Sequence, residues 1–145
     1  MATTTYSFED VTVTISHPAV GQYVASGQGI GNISVTMAND RTTHDVSADG
    51  SVMVSKVRAR NGQIALTIQQ TSALHAWLTK WFNYLEASGA DAWADRILTL
   101  RAPKMKQIKT AIGVTPQKQS DVPYAAQGQS VSWNLMAADI QQDAA

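Results

Sequence analysis

Across residues 72–88 the apolar positions hold one face of a helix. Leu74, Trp77, Leu78, Trp81, Phe82 and Leu85 are separated alternately by three positions and by one, a spacing that the helical period gathers into a single stripe. Thr71 or Ser72 can accept from the free N–H groups of the first turn, and Gly89 is placed to end the helix in the left-handed conformation. At roughly 1.5–3 kcal/mol per buried side chain, the stripe represents a gross gain on the order of 10 kcal/mol, an upper estimate because the unfolded chain already hides part of that surface. So one-sided a helix needs a flat apolar partner, and the remaining segments read as β-sheet.

Within residues 5–16, Val11, Val13 and Ile15 alternate with Thr12 and Thr14, while Tyr6 and Phe8 fall on the opposite parity. This predicts a strand with a bulge or bend near Glu9 and Asp10, closed by His17-Pro18. Gly21, Gly27, Gly29 and Gly31 predict a permissive connection into a second alternation, with Ile33, Val35 and Met37 facing in and Asn32, Ser34 and Thr36 facing out. The glycine run is followed by a strand and not by a helix start, so a connection explains it better than a phosphate-binding loop. Beyond the helix, residues 96–102 and 106–116 read as strands, the second alternating through Ile108, Thr110, Ile112 and Val114. A last strand at 129–138 places Val131, Trp133 and Leu135 on one face.

Two hairpins lie before the helix. A two-residue Asn61-Gly62 turn pairs Ala59 with Ile64, Val57 with Leu66 and Ser55 with Ile68 on an apolar face. An Asp49-Gly50 turn pairs Val46 with Met53, Asp45 with Val54, His44 with Ser55, Thr43 with Lys56 and Arg41 with Arg58, which leaves neither face apolar enough for a core. Residues 40–58 therefore read as a β-ribbon that projects from the body and needs a partner. The expected fold is mainly β with one α-helix, an α+β arrangement. Two antiparallel sheets pack as a β-sandwich or half-barrel, with a flanking amphipathic helix at 72–88 and a projecting β-hairpin at 40–58. A chain of 145 residues suits a single domain over residues 1–145.

Cysteine is absent, which removes thiol catalysis, Cys-based zinc sites and disulfides. No signal peptide and no membrane segment are expected. Eleven basic and eleven acidic residues cancel, which argues against a protein whose main work is neutralising nucleic-acid phosphates. The basic residues nevertheless cluster: Arg96, Arg101, Lys104, Lys106, Lys109 and Lys118 share a window free of acids, while Asp40, Asp45 and Asp49 gather earlier. Arg101, Lys104, Lys106 and Lys109 are thus candidates for a contact surface, against the plainer reading of a solvated strand face. His17, His44 and His75 stand alone without metal-ligand spacing, and Asp45 and Asp49 do not complete a calcium loop. No nucleophile elbow or triad order is present, and Glu9 and Glu86 both lie at element edges. Trp77, Trp81 and Trp93 can be read as a sugar platform or as core, and the helical spacing of the first two favours core. These absences predict no catalytic, cofactor or metal site.

Four pieces follow one another along the chain: Tyr6-Ser7-Phe8-Glu9-Asp10-Val11, Ser47-Ala48-Asp49-Gly50-Ser51-Val52-Met53, Asn61-Gly62 leading through Leu66 to Thr71-Ser72, and Val131-Ser132-Trp133-Asn134-Leu135. In this order they resemble bacteriophage tail tube proteins of contractile tails. Each piece is common alone, and their order and spacing carry the resemblance. It departs at Ala73, where many relatives would have proline, and in the tryptophan-rich helix. The resemblance implies a fold relative of the type VI secretion tube protein, without catalysis. Homohexameric rings would stack into the inner tube of a phage tail, a conduit for double-stranded DNA that passes without specific binding when the sheath contracts. It implies tail sheath, baseplate and tail terminator proteins as partners, and a virion component made in the host bacterial cytoplasm. On this reading the ribbon supplies the inter-ring contact through Arg41, Thr43, His44, Asp45, Asp49, Gly50, Lys56 and Arg58. Arg101, Lys104, Lys106 and Lys109 mark a subunit, sheath or lumen surface. The alternatives are a monomeric β-sandwich that binds a ligand or glycan, and an enzyme whose ionisable groups only the fold would assemble.

Overall fold

The computed structural model describes residues 2–25, 30–94, 97–102 and 105–144. After a 3-10 turn at Phe8–Asp10, where the bend was expected, come β1 (Thr12–His17), β2 (Gly21–Ala25) and β3 (Ile30–Met37). A ribbon of β4 (Thr42–Val46) and β5 (Val52–Lys56) is followed by β6 (Gly62–Gln69) and helix α1 (Ala73–Ala87). The chain ends through β7 (Ile97–Ala102), β8 (Gln107–Ile112), β9 (Thr115–Pro116), β10 (Ser130–Ala137) and β11 (Asp139–Ala144). A five-stranded sheet runs β11-β8-β7-β1-β2 and a four-stranded sheet runs β3-β6-β10-β9, every pairing antiparallel.

The two sheets face each other across a core that alternation dictates. Val13, Ile15, Leu98, Leu100 and Ala111 point inward from the five-stranded sheet and meet Ile64, Leu66, Ile68, Val131, Trp133 and Leu135 from the other. The chain changes sheets twice side by side. β8 passes to β9 at Gly113, β10 passes to β11 at Ala138, and the Ala138 N–H donates to the Ile112 carbonyl at 3.1 Å. Helix α1 plugs an open side of this sandwich. Leu74, Leu78, Trp81 and Leu85 are buried, and Trp77 and Phe82 pack half-buried on the same cluster. Tyr84 meets His17 of β1 edge-on at 4.9 Å, Trp77 meets Tyr23 of β2, and Phe82 and His75 both meet Trp133 of β10, so the helix ties the sheets together.

Ser72 caps the helix, accepting from the Leu74 N–H at 3.2 Å. Its other end departs from expectation: Gly89 is extended at φ −73°, and Ser88 closes the last turn, its N–H donating to the Leu85 carbonyl and its hydroxyl to the Tyr84 carbonyl. The glycine leads into a 3-10 turn at Ala90–Ala92 and needs no left-handed cap. The strand expected over 106–116 is broken at Gly113 into β8 and β9, which belong to different sheets, and two further strands escaped the sequence reading. β2 begins at Gly21 inside the supposed connection, and β11 follows β10 after a corner that alternation alone does not announce. Of the glycine run, residues 27 and 29 lie outside the described residues.

Candidate functional site

The Asn61-Gly62 hairpin does not form. β6 pairs with β3 and β10, and β5 pairs with β4 alone. Gly62 sits inside the sheet opposite Met37, where a Cβ would lie 2.3 Å from the Thr36 carbonyl oxygen and 3.2 Å from the Met37 Cα. Its missing side chain serves close backbone approach and not a turn.

The ribbon is an outgrowth of the β3–β6 pair. At its base the Ala38 N–H donates to the Asn61 carbonyl at 3.0 Å and the Asn39 side-chain amide to that of Asn61 at 2.7 Å. Arg41 clamps Val57 twice: its guanidinium Nε donates to the Val57 carbonyl at 2.7 Å, and its own carbonyl accepts from the Val57 N–H at 2.9 Å. Beyond that clamp every residue of β4 and β5 is exposed. The register is Thr42↔Lys56, Thr43↔Ser55, His44↔Val54, Asp45↔Met53 and Val46↔Val52, one residue away from that of a two-residue Asp49-Gly50 turn. The turn is longer because the Ser47 N–H donates to the Ser51 carbonyl at 2.9 Å and the Gly50 N–H to the Ser47 carbonyl at 3.0 Å, with Gly50 at φ +90°. Asp49 does not reach outward. Its carboxylate accepts from the Ser47 hydroxyl and from the Ser51 N–H, and these bonds pull its pKa from 3.8 down to about 2.

A slip of one residue re-sorts the faces. Opposed residues share a face, so Val46, Val52, Val54 and His44 stand together with Thr42 and Lys56, and Asp45, Met53, Thr43 and Ser55 form the other side. The ribbon is therefore apolar toward its tip on one face, which the two-residue turn had concealed. The expected contact set is split accordingly: His44 and Lys56 lie on the valine face, Thr43 and Asp45 on its reverse, Arg41 and Arg58 at the base, and Asp49 and Gly50 in the turn.

The basic candidates do not form one patch. Arg101 pairs with Ile108 and Lys109 with Leu100, so the two project from opposite faces of the five-stranded sheet, and Lys109 donates to the Gln142 side chain at 2.8 Å. Lys106 occupies the turn before β8 with φ +55°. Lys104 lies outside the described residues. The tryptophans turn inward, Trp81 being fully buried with Trp77 stacked on it at 6.2 Å and Trp93 against Phe82. An open groove of about 530 Å³ along Lys118, Asp121, Ser130, Ser132 and Asn134 carries no tryptophan in its lining. Among the described residues no three of His, Asp and Glu gather as metal ligands, and no helix is long and apolar enough to cross a membrane.

The outer faces of the sheets differ. That of the four-stranded sheet, including Asn32, Thr36, Gln63, Thr67, Ser132 and Asn134, bears no charged side chain on β3, β6 or β10. That of the five-stranded sheet sets exposed Ile97 beside Ile112, with Thr99 and Thr110 in the next row and Asp139 and Asp143 on the β11 edge.

A family model described as the bacteriophage PhiTE tail tube protein matches residues 1–144. No curated protein matches the sequence. Among solved structures the fold is similar to a chain of the anti-feeding prophage baseplate, with TM-score 0.68 and 13% identity, covering 99% of this chain and 98% of that one. It is similar to the anti-feeding prophage tube-terminating cap, with TM-score 0.63 and 12% identity over 100% and 95% of the two chains. It is also similar to a chain of the sheath-tube complex of an extracellular contractile injection system in the extended state, with TM-score 0.62 and 11% identity over 96% and 91%.

Proposed function

Because the chain belongs to the bacteriophage PhiTE tail tube family, a family of structural tail components, we propose that it assembles into hexameric rings stacked as the inner tube of a contractile tail. The tube is a conduit for the genome, with DNA passing through the lumen without specific binding. Sheath, baseplate and tail terminator proteins are its partners in the virion tail, after synthesis in the host bacterial cytoplasm. The chain itself performs no catalysis and forms one tube domain.

The observation that carries this reading is the ribbon: ten strand residues exposed on both faces, closed at its base by the Arg41–Val57 clamp and by the Ala38–Asn61 and Asn39–Asn61 contacts. Ordering each such residue costs about 1–2 kcal/mol of backbone entropy, and a lone two-stranded ribbon buries too little to offset it. A contact repeated at every stacked ring supplies what the monomer lacks. Arg41, Thr43, His44, Asp45, Asp49, Gly50, Lys56 and Arg58 are assigned to that inter-ring contact. Arg101, Lys106 and Lys109, together with Lys104, serve a subunit, sheath or lumen surface, with Arg101 and Lys109 on different sides of their sheet. Deleting residues 42–56 and bridging the gap with a short glycine turn is expected to leave a folded, ring-forming protein that no longer grows long tubes. Long, regular tubes from the deletion in electron micrographs would place stacking elsewhere.

A further inference from the structure

We propose that the valine face of the ribbon docks on the outer face of the five-stranded sheet of a second copy, over Ile97 and Ile112. This rests on the tube reading and names both surfaces of the contact. Val46, Val52 and Val54 are 64%, 51% and 63% exposed, although β-branched residues on one face of a strand pair are chemically suited to burial. The ribbon's own body does not cover them.

Three features point to that receiving surface. The first is apolarity: Ile97 and Ile112 are direct cross-strand partners, 53% and 44% exposed, and Thr99 and Thr110 extend the patch in the next row. The four-stranded sheet presents amides and hydroxyls instead, with Met136 as its one large exposed apolar residue among those described. The second is shape. The ribbon face, about 15 Å long at roughly 3.3 Å per residue, lies flat on a sheet surface as two sheets pack face to face. The third is charge. Lys56 and His44 are the basic groups of the valine face, which carries no acid, while Asp143 adjoins Ile108 on the receiving side and Asp139, beside Ile112, is already ion-paired with Arg60 at 3.0 Å. Arg101 shares that side, paired with Ile108 two rows from Ile112.

The topology of such a contact matches a growing assembly. Two different patches of one chain meet head to tail, so the interface is heterologous and, where the rotation does not close, repeats without limit. A ring whose subunits each offer one ribbon and one sheet patch adds the next ring by the same contact.

The chain has no cysteine, so single cysteines can be introduced cleanly into the full-length protein. Val54→Cys protein is assembled with Ile112→Cys protein under oxidising conditions, beside the same mixture with Met53→Cys, on the reverse of the ribbon, in place of Val54→Cys. Disulfide-linked pairs are expected from Val54 with Ile112 and not from Met53 with Ile112. Separately, Val46→Thr, Val52→Thr and Val54→Thr together keep strand shape and remove apolarity. They are expected to preserve the melting temperature and ring size while raising the concentration needed for tubes roughly tenfold or more, and Ile97→Thr with Ile112→Thr should do the same. Tubes with no Val54–Ile112 cross-link, or a threonine triple variant that polymerises like the parent, would overturn the docking and leave the tube reading standing. A parent protein that stays monomeric at all concentrations would overturn both.

Discussion

Asp49 is held inside its turn, and this sets a pH dependence. Its carboxylate has a folded-state pKa of about 2 against 3.8, through the Ser47 hydroxyl and the Ser51 N–H. A depressed carboxylate favours the ordered turn above the unfolded value and loses that preference as pH falls through the folded one. Ser47–Ser51 amide shifts should therefore be constant down to about pH 4 and move between pH 4 and pH 2; a midpoint at an ordinary carboxylate value would show that these bonds do not form in solution. Gly62 makes a harder constraint, because a Cβ added there would lie 2.3 and 3.2 Å from backbone atoms of β3. Gly62→Ala must push the edge strand β3 away from β6, and overpacking of this kind costs about 1–3 kcal/mol or more. Chemical denaturation should register it as a lowered midpoint. Trp81 is fully buried, and its indole N–H meets no acceptor among the described residues. Trp81→Phe, which removes that donor and keeps a ring, should thus be much less damaging than Trp81→Ala.

At the scale of elements, helix α1 decides whether the sandwich closes, since it touches both sheets through Trp77, Tyr84, Phe82 and His75. Removing Trp81 from its inner face should cost about 3–5 kcal/mol, read as a fall in melting temperature; an unchanged value would show that the face is not core. The helix was legible because its period survives over four turns and Ser72 caps it as its hydroxyl predicts. β10 and β6 were legible for a similar reason, each alternating buried and exposed residues along its length. β2 was not, because Gly21-Gln22-Tyr23-Val24-Ala25 lies at a sheet edge with one fully buried side chain, Ala25, and its place comes from pairing with β1. The ribbon was found and its register was misread. Asp49-Gly50 is a strong two-residue turn signal, but the serines on either side bond across it and lengthen the loop by enough to exchange the faces. Ribbon existence was therefore readable from polarity, and its chemistry only from geometry.

Over the whole molecule the order of stability follows from which strands are enclosed. β6 is paired on both sides by β3 and β10, and β7 by β1 and β8. The β1–β7 pairing joins residues more than eighty positions apart, as Ile15↔Leu98 shows, so these contacts form only when the chain has closed its largest loops. Their amides exchange through global unfolding. β4 and β5 pair with each other alone, all their residues are exposed, and opening them disturbs nothing in the core. Native-state hydrogen exchange should accordingly separate the two classes by several orders of magnitude: β6 and β7 slowest, β4 and β5 near the rate of an unprotected chain in the dispersed protein. Assembly should then protect the ribbon selectively, because a docked β4–β5 pair can open only when the subunit contact opens with it. Amides of β4 and β5 that are as slow as those of β6 before assembly would mean that the ribbon is stable without a partner, and the entropy argument for its contact would fall.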